Sequence, residues 1–177
     1  MIETELGKLR RSHYSDELTA SMDGTQVTVM GWVLTVRGHG NISFATVRDK
    51  NGDLSIVAKK GDCPDEIREK ISSLKAHSSI GVTGTIKASE KAPSGFEIIP
   101  TELRVFSEVT TIPPFEPTAK TVKNIDTRLE VRPIDLRRNI LQHVFKTRSL
   151  VLKTIRDYFN DQNFVEINTP KMIATAT

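Results

Sequence analysis

Arg37, Phe44 and Ser55 place a guanidinium, an aromatic ring and a hydroxyl on three neighbouring stretches of the first third of the chain. An exposed ring can stack on an unpaired nucleic-acid base, a contact worth about 1–3 kcal/mol per base. A guanidinium beside it can pair with phosphate or read a base edge. Composition alone favours the blander assignment, in which Phe44 belongs to a core and Arg37 is ordinary solvated charge, because aromatics in strands are more often core than ligand. A second basic set, Arg128, Arg132, Arg137 and Arg138, is by itself no more than a solvated face. No glycine-rich phosphate loop, catalytic carboxylate pair, nucleophile triad or zinc ligand set occurs, and His13, His39, His77 and His143 are scattered singly.

The elements that must position these residues are legible from hydrophobic period. From Gln26 the pattern alternates, with Val27, Val29, Gly31, Val33 and Thr35 on one face of a strand and Thr28, Met30, Trp32 and Leu34 on the other. Trp32 reads as a barrel-packing residue. Gly38-His39-Gly40-Asn41 is a turn, Ile42 to Arg48 a second strand, and Asn51-Gly52 the turn before a third at Leu54 to Ala58. Pro64 to Leu74 is helical, with Asp62 as the expected cap and Ile67, Ile71 and Leu74 on one face. Strands resume at Ser79 to Ala88 and Phe96 to Val105. A weaker helical signal covers residues 12–20, capped by Ser12 or Ser15.

Three strands, a helix and two strands are the order of an OB-fold, a five-stranded, partly open barrel with its helix between strands three and four. The ligand face of that fold is strands two and three with the adjacent loops, which is where Arg37, Phe44 and Ser55 fall; the fold alone does not say what binds. Thr110 to Lys123, with Pro113, Pro114 and Pro117, is an extended linker. An amphipathic helix then runs from Leu136 to about Asn160, and Phe164 to Ile167 begins a strand that Pro170 bounds. The expected domains are residues 1–107, the OB-fold; 108–135, a linker or hinge; and 136–177, the start of a further domain.

At 37% apolar and 27% charged residues the chain reads as globular, without an apolar run long enough to span a bilayer, and its single cysteine, Cys63, suits a reducing cytoplasm. Residues 1–107 hold 14 Lys+Arg against 14 Asp+Glu, so the net charge of +3 belongs to residues 108–177. An RNA-binding front module must therefore work through a local patch and stacking rather than an overall field.

Gly31-Trp32-Val33, Arg37, Phe44, Arg48-Asp49 and Gly52 resemble the anticodon-binding domain of aspartyl-tRNA synthetases of the archaeal and eukaryotic type. Asp126-Thr127-Arg128-Leu129 and Asp135-Leu136-Arg137-Arg138 resemble the hinge of the aspartyl, asparaginyl and lysyl subgroup, and the helix with Pro170 resembles motif 1 of class II synthetases. The resemblance implies that the residue at Phe44 stacks on the central anticodon base and that Arg37 contacts the anticodon loop. At Ser55 the family typically has a glutamine bonded to the central uracil; serine is shorter and needs a bridging water for that contact. Strict members often carry tryptophan at the position of Leu34 and lysine at that of Pro93, so this chain resembles relaxed members that also charge tRNA-Asn.

Arg137 and Arg138 are equally compatible with phosphate contacts at the hinge and with pairing to acidic groups of a catalytic domain. Pro170 and its helix imply a dimer interface. The resemblance further implies a cytoplasmic parent enzyme that attaches L-aspartate to tRNA using ATP and Mg²⁺ and works as a homodimer. The arginine motifs that hold ATP and the amino acid are not in this chain, which ends at Ala174-Thr175-Ala176-Thr177 and is expected to be inactive alone. A free-standing OB-fold tRNA- or single-strand-binding protein, and a piece of an asparaginyl-tRNA synthetase, are the competing expectations.

Overall fold

The computed structural model describes residues 9–116 and 123–170. The chain divides into two units, Met1–Ile112 and Pro113–Thr177. The expected linker residue Pro117 and the terminal run from Lys171 to Thr177 lie outside the described residues.

In the first unit five strands, β1 (Gln26–His39), β2 (Ile42–Arg48), β3 (Asp53–Lys59), β4 (Ser79–Ala88) and β5 (Phe96–Ser107), close a barrel in the order β1-β2-β3-β5-β4. All pairings are antiparallel except β3 with β5. Helix α1 (Asp65–Ser73) lies between β3 and β4, as the sequence order requires. Its cap is Pro64 rather than Asp62, and Ile71 enters the core. The core is aliphatic: Val27, Val29, Val33, Val47, Leu54, Ile56, Ile80, Val82, Ile86 and Ile98 are all buried. Branched side chains at every second position fill a narrow barrel in well-defined rotamers.

One irregularity decides what the barrel shows to solvent. β1 pairs Val33 with Val47 and then Thr35 with Thr46, so Leu34 is an extra residue in a β-bulge. Strict alternation from Val33 would send Thr35 and Arg37 inward. The bulge shifts the phase by one residue, so Val36 packs against the core while Thr35, Arg37 and His39 are exposed. Thr35 therefore does not share a face with Val33. Trp32, expected in the barrel packing, is half-buried opposite Arg48 and Ser79 and stands outside the core cluster.

The 12–20 segment forms two short 3-10 turns, Ser15–Glu17 and Ala20–Met22, and neither Ser12 nor Ser15 caps them. Ser15 instead ties this segment to the β2–β3 turn through Asp49, which is 4% exposed. The Asp49 carboxylate accepts from Ser15 N–H and Ser15 Oγ, each at 2.7 Å, and from the N–H groups of Asn51 at 2.7 Å and Gly52 at 3.0 Å. Burial opposes the charge, but the Ser15 hydroxyl and the three backbone donors outweigh it and hold the Asp49 carboxyl below the usual carboxylate range.

A carboxyl lowered on folding stabilises at pH values above its unfolded pKa, and that contribution disappears as pH falls through the lower folded value. Resistance to unfolding by urea, followed through the single tryptophan, is therefore expected to weaken from about pH 5 downward. An Asp49→Asn chain is expected to start about 1–3 kcal/mol less stable and to show less of this acid dependence. Equal acid dependence in both chains would remove Asp49 as its source.

In the second unit α2 (Ile125–Glu130) and α3 (Arg132–Asp135) form within the stretch expected as linker, followed by α4 (Asn139–Asp161). Asn124 caps α2 by accepting from Thr127 N–H at 3.0 Å. The strand expected at Phe164 to Ile167 is absent: these residues follow α4 without regular structure. A strand requires a partner for its backbone N–H and C=O groups, and no described segment pairs with this one.

Candidate nucleic-acid interface

The bulge and the two hairpins arrange the outer faces of β1, β2 and β3 in three rows. Register aligns Thr35 with Thr46 and Ser55, Arg37 with Phe44 and Val57, and His39 with Ile42 and Lys59. Each row spans neighbouring strands about 4.7–4.9 Å apart, within reach of a single nucleotide's contacts. At the centre Phe44 is 40% exposed. It is therefore a surface ring, not a core residue, and a large exposed aromatic on a strand is the stacking platform that single-stranded nucleic acid uses.

Phe44 stands between two open depressions. One, of about 460 Å³, is lined by Thr35, Arg37, His39, Thr46 and Ser55 as well as the ring. The other, of about 450 Å³, runs past Ile42 and Val57 to Lys59, Lys87 and Lys91, with Asp62 and Glu97 at its edge. Thr35 and Thr46 satisfy each other, Oγ1 to Oγ1 at 3.2 Å. The side chains of Arg37, His39 and Ser55 have no hydrogen bond or ion pair among the described residues, so their polar groups are available to a ligand. By contrast Arg48 is committed to Asp53, with bonds of 2.5 and 2.7 Å that raise its pKa further despite burial.

The expected residues Arg37, Phe44 and Ser55 thus share one groove. Leu34 and Pro93 do not line it: Leu34 is the half-buried bulge residue, and Pro93 is exposed in the β4–β5 loop whose Ser89 and Lys91 border the second depression. His39, Lys59, Lys87 and Lys91 were not singled out from sequence. An isolated histidine in a turn and lysines at strand ends carry no signal until the register brings them together.

In the second unit the two hinge stretches are bound to each other. Asp135 is fully buried and accepts from Arg128 Nε at 3.0 Å and from an Arg132 guanidinium nitrogen at 2.6 Å. The acidic partner in this hinge therefore belongs to Arg128 and Arg132. Arg138 is buried at the start of α4, and Arg137 is half-buried, with burial lowering its pKa. Helix α4 leaves Ile140, Val144, Phe145, Leu152, Ile155 and Phe159 between 44% and 63% exposed, and Pro170 is exposed beyond it. Among the described residues no group of His, Cys, Asp and Glu could hold a metal ion, and no helix is long and apolar enough to cross a membrane.

Comparison with known proteins places both units. Residues 27–106 match the OB-fold nucleic acid binding domain family, and residues 124–177 match the tRNA synthetases class II (D, K and N). The aspartate–tRNA(Asp/Asn) ligase of Methanocaldococcus jannaschii is 44% identical over 170 residues, covering 96% of this chain and 39% of that protein. Among solved structures, an aspartyl-tRNA synthetase from Entamoeba histolytica aligns over 99% of this chain and 43% of its own, with a TM-score of 0.84 and 26% identity. The asparaginyl-tRNA synthetase of Pyrococcus horikoshii, complexed with asparaginyl-adenylate, aligns over 95% and 38%, also with a TM-score of 0.84 and 26% identity. The chain thus spans about two fifths of the length of such relatives. Residues 27–106 are thus similar to an OB-fold nucleic-acid-binding domain, and residues 124–177 to the class II tRNA synthetases of the D, K and N group, in the order found in the ligase relative.

Proposed function

We propose that this chain is the anticodon-reading part of an aspartate–tRNA ligase. The observation that carries the reading is the exposed Phe44 ring, centred on the outer face of β1–β3 between unpaired Arg37, His39 and Ser55. In this reading the central anticodon base stacks on Phe44, Arg37 contacts the anticodon loop, and Ser55 hydrogen-bonds the base edge through a water. Such an interface is local, as the neutral charge balance of residues 1–107 requires.

The whole enzyme would activate L-aspartate with ATP and Mg²⁺ in the cytoplasm. In it α4 and Pro170 would enter a homodimer interface that covers the exposed apolar face. Arg137 remains the stronger hinge candidate for phosphate, because Arg138 is buried. Leu34 and Pro93, outside the stacking groove, would act on the neighbouring anticodon position. The aspartyl assignment rests on the M. jannaschii relative; structural likeness does not choose between aspartyl and asparaginyl enzymes, since the two solved structures align equally well.

The relative's Asp/Asn designation and the Leu34/Pro93 pair support a relaxed enzyme. The chain is expected to bind tRNA-Asn within a few-fold of tRNA-Asp, and to lose affinity for a tRNA-Asp with an altered central anticodon base. Side-by-side equilibrium titrations measure both. Much weaker tRNA-Asn binding removes the relaxed specificity, and indifference to the central base removes the anticodon reading.

A further inference from the structure

The row His39–Ile42–Lys59 has no part in stacking on Phe44, yet it lies directly beside it. Both polar members are exposed, and neither makes a side-chain hydrogen bond or ion pair among the described residues. Their Cα positions are two strand spacings apart, roughly 10 Å, with one aliphatic residue between them. His39 lines the first depression beside Phe44, and Ile42 and Lys59 line the second. The turn is held in place from both sides: His39 pairs with Ile42, and the Lys60 N–H donates to Asn41 C=O at 2.9 Å. Gly38 and Gly40 flank His39 with nothing within 4 Å of where a Cβ would be, which leaves room for a sugar–phosphate backbone.

Building on the anticodon reading, we propose that His39 and Lys59 clamp the phosphodiester of the nucleotide next to the base stacked on Phe44. The electrostatic surroundings favour an anion. Arg37 is the charged neighbour on β1, β2 presents only Ile42 and Phe44, and Lys60 extends the end of β3. Beyond Lys59 the second depression adds Lys87 and Lys91 against Asp62 and Glu97, so cations predominate.

The test uses the 177-residue chain and the anticodon stem-loop RNA of tRNA-Asp, titrated by fluorescence anisotropy at several salt concentrations. His39→Gln and Lys59→Gln are each expected to weaken binding about three- to tenfold, equally for RNAs with the normal or an altered central base. Lys59→Gln should also flatten the log–log salt dependence by about 0.7, the value for one phosphate on a single strand.

Unchanged affinity in His39→Gln overturns the clamp, even if Lys59→Gln is weakened. Phe44→Ala, run alongside, judges the anticodon reading separately: wild-type binding by that variant overturns the reading whatever the clamp residues do. Both clamp side chains point outward, and unaltered Trp32 fluorescence confirms that the variants fold.

Discussion

Replacing Phe44 with alanine is expected to lower affinity for the tRNA-Asp anticodon stem-loop by roughly 5- to 150-fold, the equivalent of one base–aromatic stack. The expectation depends on the ring being 40% exposed and supported from below by the sheet, opposite Arg37 and Val57. A ring held by neighbouring strands offers its face without first losing rotamer freedom, so most of the stacking energy appears as affinity. Because Phe44 lies outside the core cluster, alanine opens no internal cavity there, and folding stability should change by less than about 1 kcal/mol. Phe44→Leu separates stacking from simple apolar contact: it preserves bulk but not the aromatic face, and should recover only part of the loss. Wild-type affinity in Phe44→Ala would show that RNA reaches the chain elsewhere.

The second large effect is on stability. A Cβ at Gly31 would lie 2.3 Å from the carbonyl oxygen of Arg48 and 2.8 Å from Val47 Cγ1. The oxygen belongs to the backbone of the paired strand, so the clash cannot be relieved by turning a side chain. Gly31→Ala must push β1 away from β2 at a point where β1 is also paired, through Ile80, with β4. A closed barrel has no free edge toward which to yield. The expected cost is about 3 kcal/mol, at the upper end of overpacking penalties. For a domain of this size that lowers Tm by roughly 10–20 °C. Thermal unfolding followed by tryptophan fluorescence measures it directly, and a fall of less than a few degrees would show that the strands separate more easily than the register implies. Gly84→Ala, whose Cβ would stand 2.4 Å from the Ile99 carbonyl oxygen, is a parallel case on β4.

Much of the barrel was legible because its strands obey period two and its turns carry strong local signals. Asn51-Gly52 marks the β2–β3 hairpin, and the helix appears where Ile67, Ile71 and Leu74 switch to helical spacing. What escaped was phase. Nothing in the residues around Leu34 announces one extra residue in β1, since branched apolar side chains suit a regular strand and a bulged one equally. Thr35 was accordingly assigned to the wrong face, and the row of Thr35, Arg37 and His39 could not be seen as a surface.

The groove residues Arg37, Phe44 and Ser55 were reached through family resemblance; residue type alone preferred Phe44 in the core. His39 and Lys59 lie far apart in sequence and become neighbours only through two hairpin registers. The expected strand at Phe164 failed for another reason. Apolar residues ahead of a proline resemble a strand, but a strand is a property of a pair, and no partner is present among the described residues.

The bulge at Leu34 also limits how this protein's length can vary. Turns on the barrel can gain or lose residues without altering which side chains face outward, because each strand restarts its own alternation. Between Val33 and Arg37 residue number and bulge are coupled. Closing the bulge while keeping all its residues would rotate Arg37 and His39 toward the aliphatic interior and bring Val36 to the surface, whereas deleting Leu34 together with the bulge would leave a regular strand with the same face outward. The stretch therefore acts as a counting device: its number of residues and its bulge must change together if the same face is to meet the ligand.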